Sequence, residues 1–325
     1  MKCFAAQLSL LAAILLAGLV SYFSDRLDPY FLRVIITAGI NITLAVSLNL
    51  VNGYTGQFSL GHAGFMCVGA YTSAIITMYV APRFFGSILP PSNVAMASLV
   101  FTIALFFSGV IAAISGLIVG APSLRLKGDY LAIVTLGFGE IIRIIFLNIP
   151  AVGGARGLPG VPVYTNFFWA FSIALITIYI VLAMVHSTYG RGFIAVHDDE
   201  IAAEAMGINT TKYKIIAFAV SAFFAGVAGG LYAHFKTFIS PNGFDFMRSI
   251  EVVVMVILGG MGNTIGVISA AILLTILPEL LRPIQDYRMI IYSFLLIVLM
   301  LTRPQGLFRV NWRPRVKPAP RPVAS

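Results

Sequence analysis

The chain has 325 residues, of which 59% are hydrophobic and 10% charged, and carries a formal net charge of +9. Soluble domains carry roughly a quarter charged residues, so this composition excludes a soluble globular protein and points to an all-α protein with many membrane crossings. The positive charge does not read as a nucleic-acid surface. Arg303, Arg309, Arg313, Arg315, Lys317 and Arg321 crowd the tail beside an apolar run, and no basic stripe with interleaved aromatics is left elsewhere.

A spanning helix needs roughly 20 apolar residues. Candidates follow one another at Leu8–Phe23, Tyr30–Val51, Ala63–Ala81, Val94–Ile118, Tyr130–Ile149, Asn166–Val185 and Ile215–Ala233. Shorter apolar stretches follow at Val252–Leu258, Ile265–Leu277 and Met289–Thr302. Together they predict about ten transmembrane or half-spanning helices in one membrane domain, residues 1–310. The Pro- and Arg-rich segment 311–325 is expected to be a disordered cytoplasmic tail. Lys2 and the run Leu8–Val20 resemble a signal peptide, but no small-x-small cleavage site follows, so the run reads as a retained first span.

Charge spacing says more than hydropathy. Val34–Pro82 holds no formal charge, yet contains the helix-breaking string NGYTGQFSLGHAG, Asn52 to Gly64. A loop that reaches bulk water usually acquires a charged residue, so this backbone is expected to stay at membrane depth, where irregular backbone survives only if buried or lining a cavity. The same pattern recurs in Val252–Pro278, uncharged and broken by GGMGNTIG, Gly259 to Gly266. Paired glycine-interrupted segments in the two halves of a chain point to a transport pathway, and helix–helix packing through small residues is the competing explanation. On the pathway reading the candidate lining residues are Gly53, Tyr54, Thr55, Gly56, Gln57, Ser59, Gly61 and His62 in the first break. In the second they are Gly259, Gly260, Met261, Gly262 and Asn263.

Glu140 and Arg143 form a charge pair inside the apolar span around TLGFGEIIRIIFLN. Intramembrane charges are functional suspects, but an i,i+3 pair can also neutralise itself on one helix face, and both roles stay open. His62, His186 and His234 have no neighbours at metal-ligand spacing. Cys3 and Cys67 offer neither a disulfide framework nor a metal cluster.

The longest polar interruption is Ser187–Lys214. Its helix formers begin behind Asp198, Asp199 and Glu200, where a helix N-terminus favours negative charge, and Gly207 stops them as a C-terminal glycine does. It reads either as an ordinary surface loop or as a short amphipathic helix on which a partner docks.

Ten crossings with a cytoplasmic N-terminus return the basic tail to the cytoplasm, as the positive-inside rule asks. The loop Ala121–Gly128, with Arg125 and Lys127, and the segment Ser187–Lys214 then lie inside. Val252–Pro278 must enter and leave on the outer side. The chain holds no G-x-x-x-x-G-K-[ST] string, GxSxG elbow, HExxH or CxxC. It is therefore expected to be no enzyme, and to be either a self-sufficient channel or carrier or a transporter that takes its energy from a partner.

Five strings and a tail phrase resemble the permease subunits of branched-chain amino-acid ABC importers, and most nearly the M-type subunit. They are NLVNGYTGQFSLGHAGFMCVGAY (Asn49–Tyr71), LRLKGDYLAIVTLGFGEIIR (Leu124–Arg143), GGARGLPGVP (Gly153–Pro162), YGRGFIAVHDDEIAAEAMGIN (Tyr189–Asn209), ILGGMGNTIGVISAA (Ile257–Ala271) and RPQGLF (Arg303–Phe308). The resemblance implies a bacterial inner-membrane importer of leucine, isoleucine and valine with ABC permease architecture. It also implies a second, H-type permease, two cytoplasmic ATPase subunits that hold the ATP and Mg²⁺, and a periplasmic binding protein. On this likeness the loop carrying Arg191, Glu200, Glu204, Ala205 and Gly207 is the ATPase coupling element. It departs from the common E-A-A-x-x-x-G pattern, because Glu200 lies seven residues before Gly207. Relatives with the same machinery carry urea, short amides or other amino acids, and those cargoes stay open at this point.

Overall fold

The apolar runs become helices, and polar or glycine-rich strings punctuate them. The structure, a computed structural model, describes residues 2–23, 28–85, 94–123 and 128–282, with isolated positions between 287 and 301. The basic tail 311–325, the phrase RPQGLF, the loop residues Arg125 and Lys127, and much of Met289–Thr302 lie outside the described residues.

Helix α1 spans Lys2–Phe23. Helix α2, Pro29–Asn49, starts where the Asp28 carboxylate accepts the Tyr30 N–H, with Pro29 in the first turn, where its missing N–H is not needed. It continues into a π-helical turn, Leu50–Tyr54. After the first break come α3, His62–Ile75, a second π turn, Ile76–Val80, and α4, Ala81–Phe85. Then follow α5, Val94–Ser123, α6, Asp129–Leu147, and α7, Phe167–His186. The polar connection forms α8, Thr188–Asp198, and α9, Glu200–Ala205, before the long α10, Thr210–Lys236. Helices α11, Phe246–Gly259, and α12, Thr264–Leu280, flank the second break. Strands β1, Leu158–Pro159, and β2, Phe238–Ile239, form one antiparallel pair with Leu158 opposite Ile239. The all-α expectation holds, and among the described residues six helices are long and apolar enough to cross a membrane.

Burial sorts the helices. In the most apolar window of Pro29–Tyr54, 83% of residues are buried, against 17% in Tyr130–Leu147, so α2 is the axis and α6 a wall. Leu99, Phe106, Ile114 and Ile118 of α5 are exposed, as side chains that face lipid tails are. Helices α3 and α10 touch backbone to backbone. A methyl group on Gly69 would meet the Gly226 oxygen at 2.1 Å, and one on Gly229 would meet the Met66 oxygen at 2.0 Å. Small residues permit this approach in lipid, where van der Waals packing replaces the hydrophobic drive.

Contacts fix two faces of the bundle. On the first, here the loop face, Gly56 lies against His197 of α8. On the far face, Tyr30 at the start of α2 hydrogen-bonds Glu279 near the end of α12. Helix α12 runs antiparallel to α2, linked at Thr264 to Tyr54, at Thr275 to Asn41 and at Glu279 to Tyr30. Helices α11 and α12 therefore enter from the far face, turn near the loop-face end of α2, and return to the far face. At about 1.5 Å per residue α11 is about 21 Å long, short of the ~30 Å hydrocarbon core.

Candidate transport site

The first break is held by its own polar groups. Thr55 Oγ1 donates to the Val51 oxygen at 2.8 Å, and the Gln57 N–H donates to the same oxygen at 3.1 Å. Gly56 reverses the chain at φ +67°. The Asn52 side chain then bridges to Ser59, accepting its N–H at 3.2 Å. Leu60 N–H donates to Thr135 Oγ1 at 3.1 Å and Ala63 N–H to Ser249 Oγ at 3.2 Å. His62 opens α3, buried, with Nε2 3.0 Å from Ser47 Oγ. Gly61 sits against the Thr135 carbonyl, where a methyl would lie at 2.5 Å.

The second break is a tight turn. Gly260 and Gly262 have φ of +90° and +80°, the Asn263 N–H donates to the Gly260 oxygen at 3.0 Å, and Asn263 Oδ1 caps α12 at Gly266. Gly259 lies against the backbone of Val267, and Met261, 55% exposed, is the tip.

These two breaks, some 200 residues apart in sequence, touch. The Gly262 N–H donates to Asn49 Oδ1 at 2.9 Å, with Gly53 wedged beneath, and Tyr54 Oη lies 2.8 Å from Thr264 Oγ1. A methyl on Gly53 would fall 2.3 Å from the Gly262 nitrogen. The first break also meets the polar connection: a methyl on Gly56 would fall 3.0 Å from His197 Cδ2. Thr55, Gly56, Gln57, Val196, Glu200 and Lys214 help line a cavity of about 70 Å³ there. The Gln57 amide, buried beside it, finds no hydrogen-bond partner among the described residues.

The polar connection is two helices rather than one. Asp199 separates them, its carboxylate accepting the N–H groups of Ile201 and Ala202. Gly207, at φ +82°, closes α9 with its N–H bonded to the Glu204 oxygen and the Ile208 N–H to the Ala203 oxygen, the paired pattern of a glycine C-cap. Both acidic side chains of α9 turn toward their own chain. Glu200 pairs with the buried Lys214 at 2.7 Å, and Glu204 accepts Thr210 Oγ1 at 2.7 Å. Arg191 and Ala205 are exposed. Two large apolar side chains also point outward there, Ile201 73% and Met206 82% exposed. Sequence reading passed over these two, although large apolar residues in a polar loop were the available signal.

Glu140 and Arg143 pair at 2.7 Å, and Arg143 Nη1 also donates to Asn242 Oδ1 at 3.1 Å. A second pair, missed because it adjoins the polar stretch Lys236–Ser249, joins Arg248 to Glu251 at 2.5 Å. His234 Nδ1 lies 2.8 Å from the Pro162 oxygen, and His186 Nδ1 lies 2.6 Å from the Leu182 oxygen. Among the described residues no group of three or more His, Cys, Asp or Glu side chains is placed to hold a metal ion.

A helical bundle with two facing breaks, one of them touching a helical connection on one face, defines a multi-pass membrane permease chain. The chain belongs to the family described as branched-chain amino acid transport system / permease component, whose model matches residues 30–301. It is similar to the high-affinity branched-chain amino acid transport system permease protein LivM of Escherichia coli, 36% identical over 86% of this chain and 69% of the relative. LivH of the same organism is 30% identical over 38% of this chain and 40% of its own. The guanosine ABC transporter permease protein NupQ of Bacillus subtilis is 26% identical over 76% and 83%. No solved structure matches. The chain is thus a permease component of an ABC transport system, and not itself its catalytic part.

Proposed function

We propose that this chain is the M-type permease of an ATP-binding-cassette importer carrying leucine, isoleucine and valine across a bacterial inner membrane. The observation that carries the reading is the contact between Gly56 of the first break and His197 of α8, which supports a gate that rests against the element a motor would grip. In this reading the loop face and both termini are cytoplasmic. Two ATPase subunits, which hold the ATP and Mg²⁺, seat α8 and α9 through Ile201 and Met206, with Arg191, Glu200, Glu204, Ala205 and Gly207 shaping that surface. A second permease of the H type completes the pathway, and a periplasmic binding protein delivers cargo at the far face. Closure of the ATPase pair moves α8, α8 moves Gly56, and the Gly53–Gly262 contact opens on one side and seals on the other. Binding along the path is weak so that cargo can leave, which assigns most selectivity to the binding protein.

The test is uptake by liposomes. The importer reading expects no leucine flux from this chain alone and ATP-dependent flux when the second permease, ATPases and binding protein are present. Flux through the isolated chain would make it a self-sufficient carrier. The likeness to a guanosine permease supports a second reading in which the same machine carries another cargo. Uptake of guanosine, urea or a short amide in place of leucine would establish it.

A further inference from the structure

Arg248 and Glu251 lie in the first two turns of α11, yet they stand at membrane depth. Arg248 Nη2 donates to Asn41 Oδ1 at 2.7 Å, and Asn41 is at the midpoint of the 26-residue span Pro29–Tyr54. Asn41 is itself oriented by donating from Nδ2 to Thr275 Oγ1 at 2.8 Å. Arg248 Nη1 donates to Glu251 Oε2 at 2.5 Å. The Arg248 side chain is 16% exposed and that of Glu251 48%.

A half-exposed carboxylate at this depth does not face lipid, because intramembrane charges turn to the bundle interior or to a water-filled cavity. Glu251 therefore marks the surface that lines the pathway. Three or four residues apart on the same helix face, Val254 and Ile257 follow, both partly exposed, and then Met261 at the tip of the second break. The exposed line on α11 thus reads carboxylate, two aliphatic side chains, gate. In the breaks, the N–H groups of Gln57, Ser59, Leu60, Gly262 and Asn263 are already bonded within the chain.

Resting on the importer reading, we infer that Arg248 and Glu251 are the midplane station for the charged ends of a zwitterionic amino acid. The guanidinium meets the α-carboxylate, the Glu251 carboxylate meets the α-ammonium, and the aliphatic side chain lies on Val254 and Ile257. Between substrates the two residues neutralise each other. When cargo arrives each exchanges one opposite charge for another, so no unpaired charge is left at low dielectric, the costly case for a buried ion. Asn41 holds the guanidinium in place through the exchange. The Glu140–Arg143 pair is built differently. Arg143 is tied through Nε to Glu140 and through Nη1 to Asn242, and so positions the turn Pro241–Phe244 that leads into α11.

The test uses the complete complex in liposomes, with leucine as probe and with leucine moved per ATP hydrolysed as readout. Glu251→Gln and Arg248→Gln are each expected to lower that ratio by about tenfold or more, the loss of one charge-assisted contact, while the ATPase and second permease still co-purify and ATP is still hydrolysed. Glu251→Asp is expected to restore part of the ratio. A ratio within about twofold of wild type overturns the inference. So does a parallel fall in uptake and ATPase with loss of the second permease, which would make the pair an assembly contact. A wild-type complex that moves no leucine overturns the leucine-cargo reading together with the inference built on it.

Discussion

Replacing Gly53 with alanine puts one methyl group where the two helix breaks touch. That carbon would lie 2.1 Å from Asn49 Oδ1 and 2.3 Å from the Gly262 nitrogen, against 3.4–4 Å for ordinary contact. Both atoms belong to one hydrogen bond, so the methyl group and the bond exclude each other. Losing a buried hydrogen bond costs about 1–3 kcal/mol, and forcing packed backbone apart costs about 1–3 kcal/mol more. The sum is about 2–6 kcal/mol against the closed contact, a shift of about 30-fold or more in its population at 1.4 kcal/mol per factor of ten. In the reconstituted complex Gly53→Ala is expected to insert and to bind the ATPases. It is also expected to hydrolyse ATP while moving at least about 30-fold less leucine per ATP. Asn49→Ala removes the same bond without the clash and is expected to show a smaller defect, about tenfold. Uptake by Gly53→Ala within about twofold of wild type would refute the reasoning, because the breaks could not then close through this contact.

Gly207→Ala meets no atom within 4 Å, so its cost is the left-handed backbone alone, about 1–2 kcal/mol. Co-purification of the ATPases is expected to fall by about tenfold, and Gly207→Asn, which tolerates that backbone, is expected to lose less. Met206→Asp removes an exposed apolar side chain whose burial under a partner is worth about 1.5–3 kcal/mol. ATPase binding is expected to weaken by about 10- to 150-fold, with membrane insertion unchanged. Lys214→Met leaves Glu200 without its buried cation. With Glu200 itself partly solvated, the loss is expected near 1–3 kcal/mol, seen as a lower thermal midpoint of the detergent-solubilised complex. Lys214→Met combined with Glu200→Gln is expected to recover part of it.

Much of the bundle was legible because its signals are local. Long apolar runs mark the helices, and the uncharged, glycine-rich tracts around Gly53 and Gly262 mark where those helices break. Gly207 as a helix stop was equally readable, since a left-handed C-terminal position needs no tertiary information. What escaped depends on which surfaces meet. Nothing local says that Asn49 will reach Gly262, or that Gly56 will lie on His197. Asp199 was read as helix-terminal charge, but not as the hinge between α8 and α9. Arg248 and Glu251 carry no signal of their own in sequence, because they follow the polar residues Lys236 and Asp245. Nothing local says that Arg248 will reach Asn41 of α2. The acidic residues of the polar connection were the evident docking candidates by charge. The fold spends them internally, on Lys214 and Thr210, and leaves Ile201 and Met206 outward.

The seam between α3 and α10 has a mechanical corollary. With the Gly226 and Gly229 backbones pressed on Gly69 and Met66, neither helix can slide or tilt without the other, so the pair behaves as one stiff strut. Its α10 limb begins at Thr210, directly after the polar connection, and ends beyond His234, clasped to Pro162 on the opposite side. A push at one end arrives at the other without any intermediate linkage, and a single β-carbon inserted in that seam would split the strut into two loose rods.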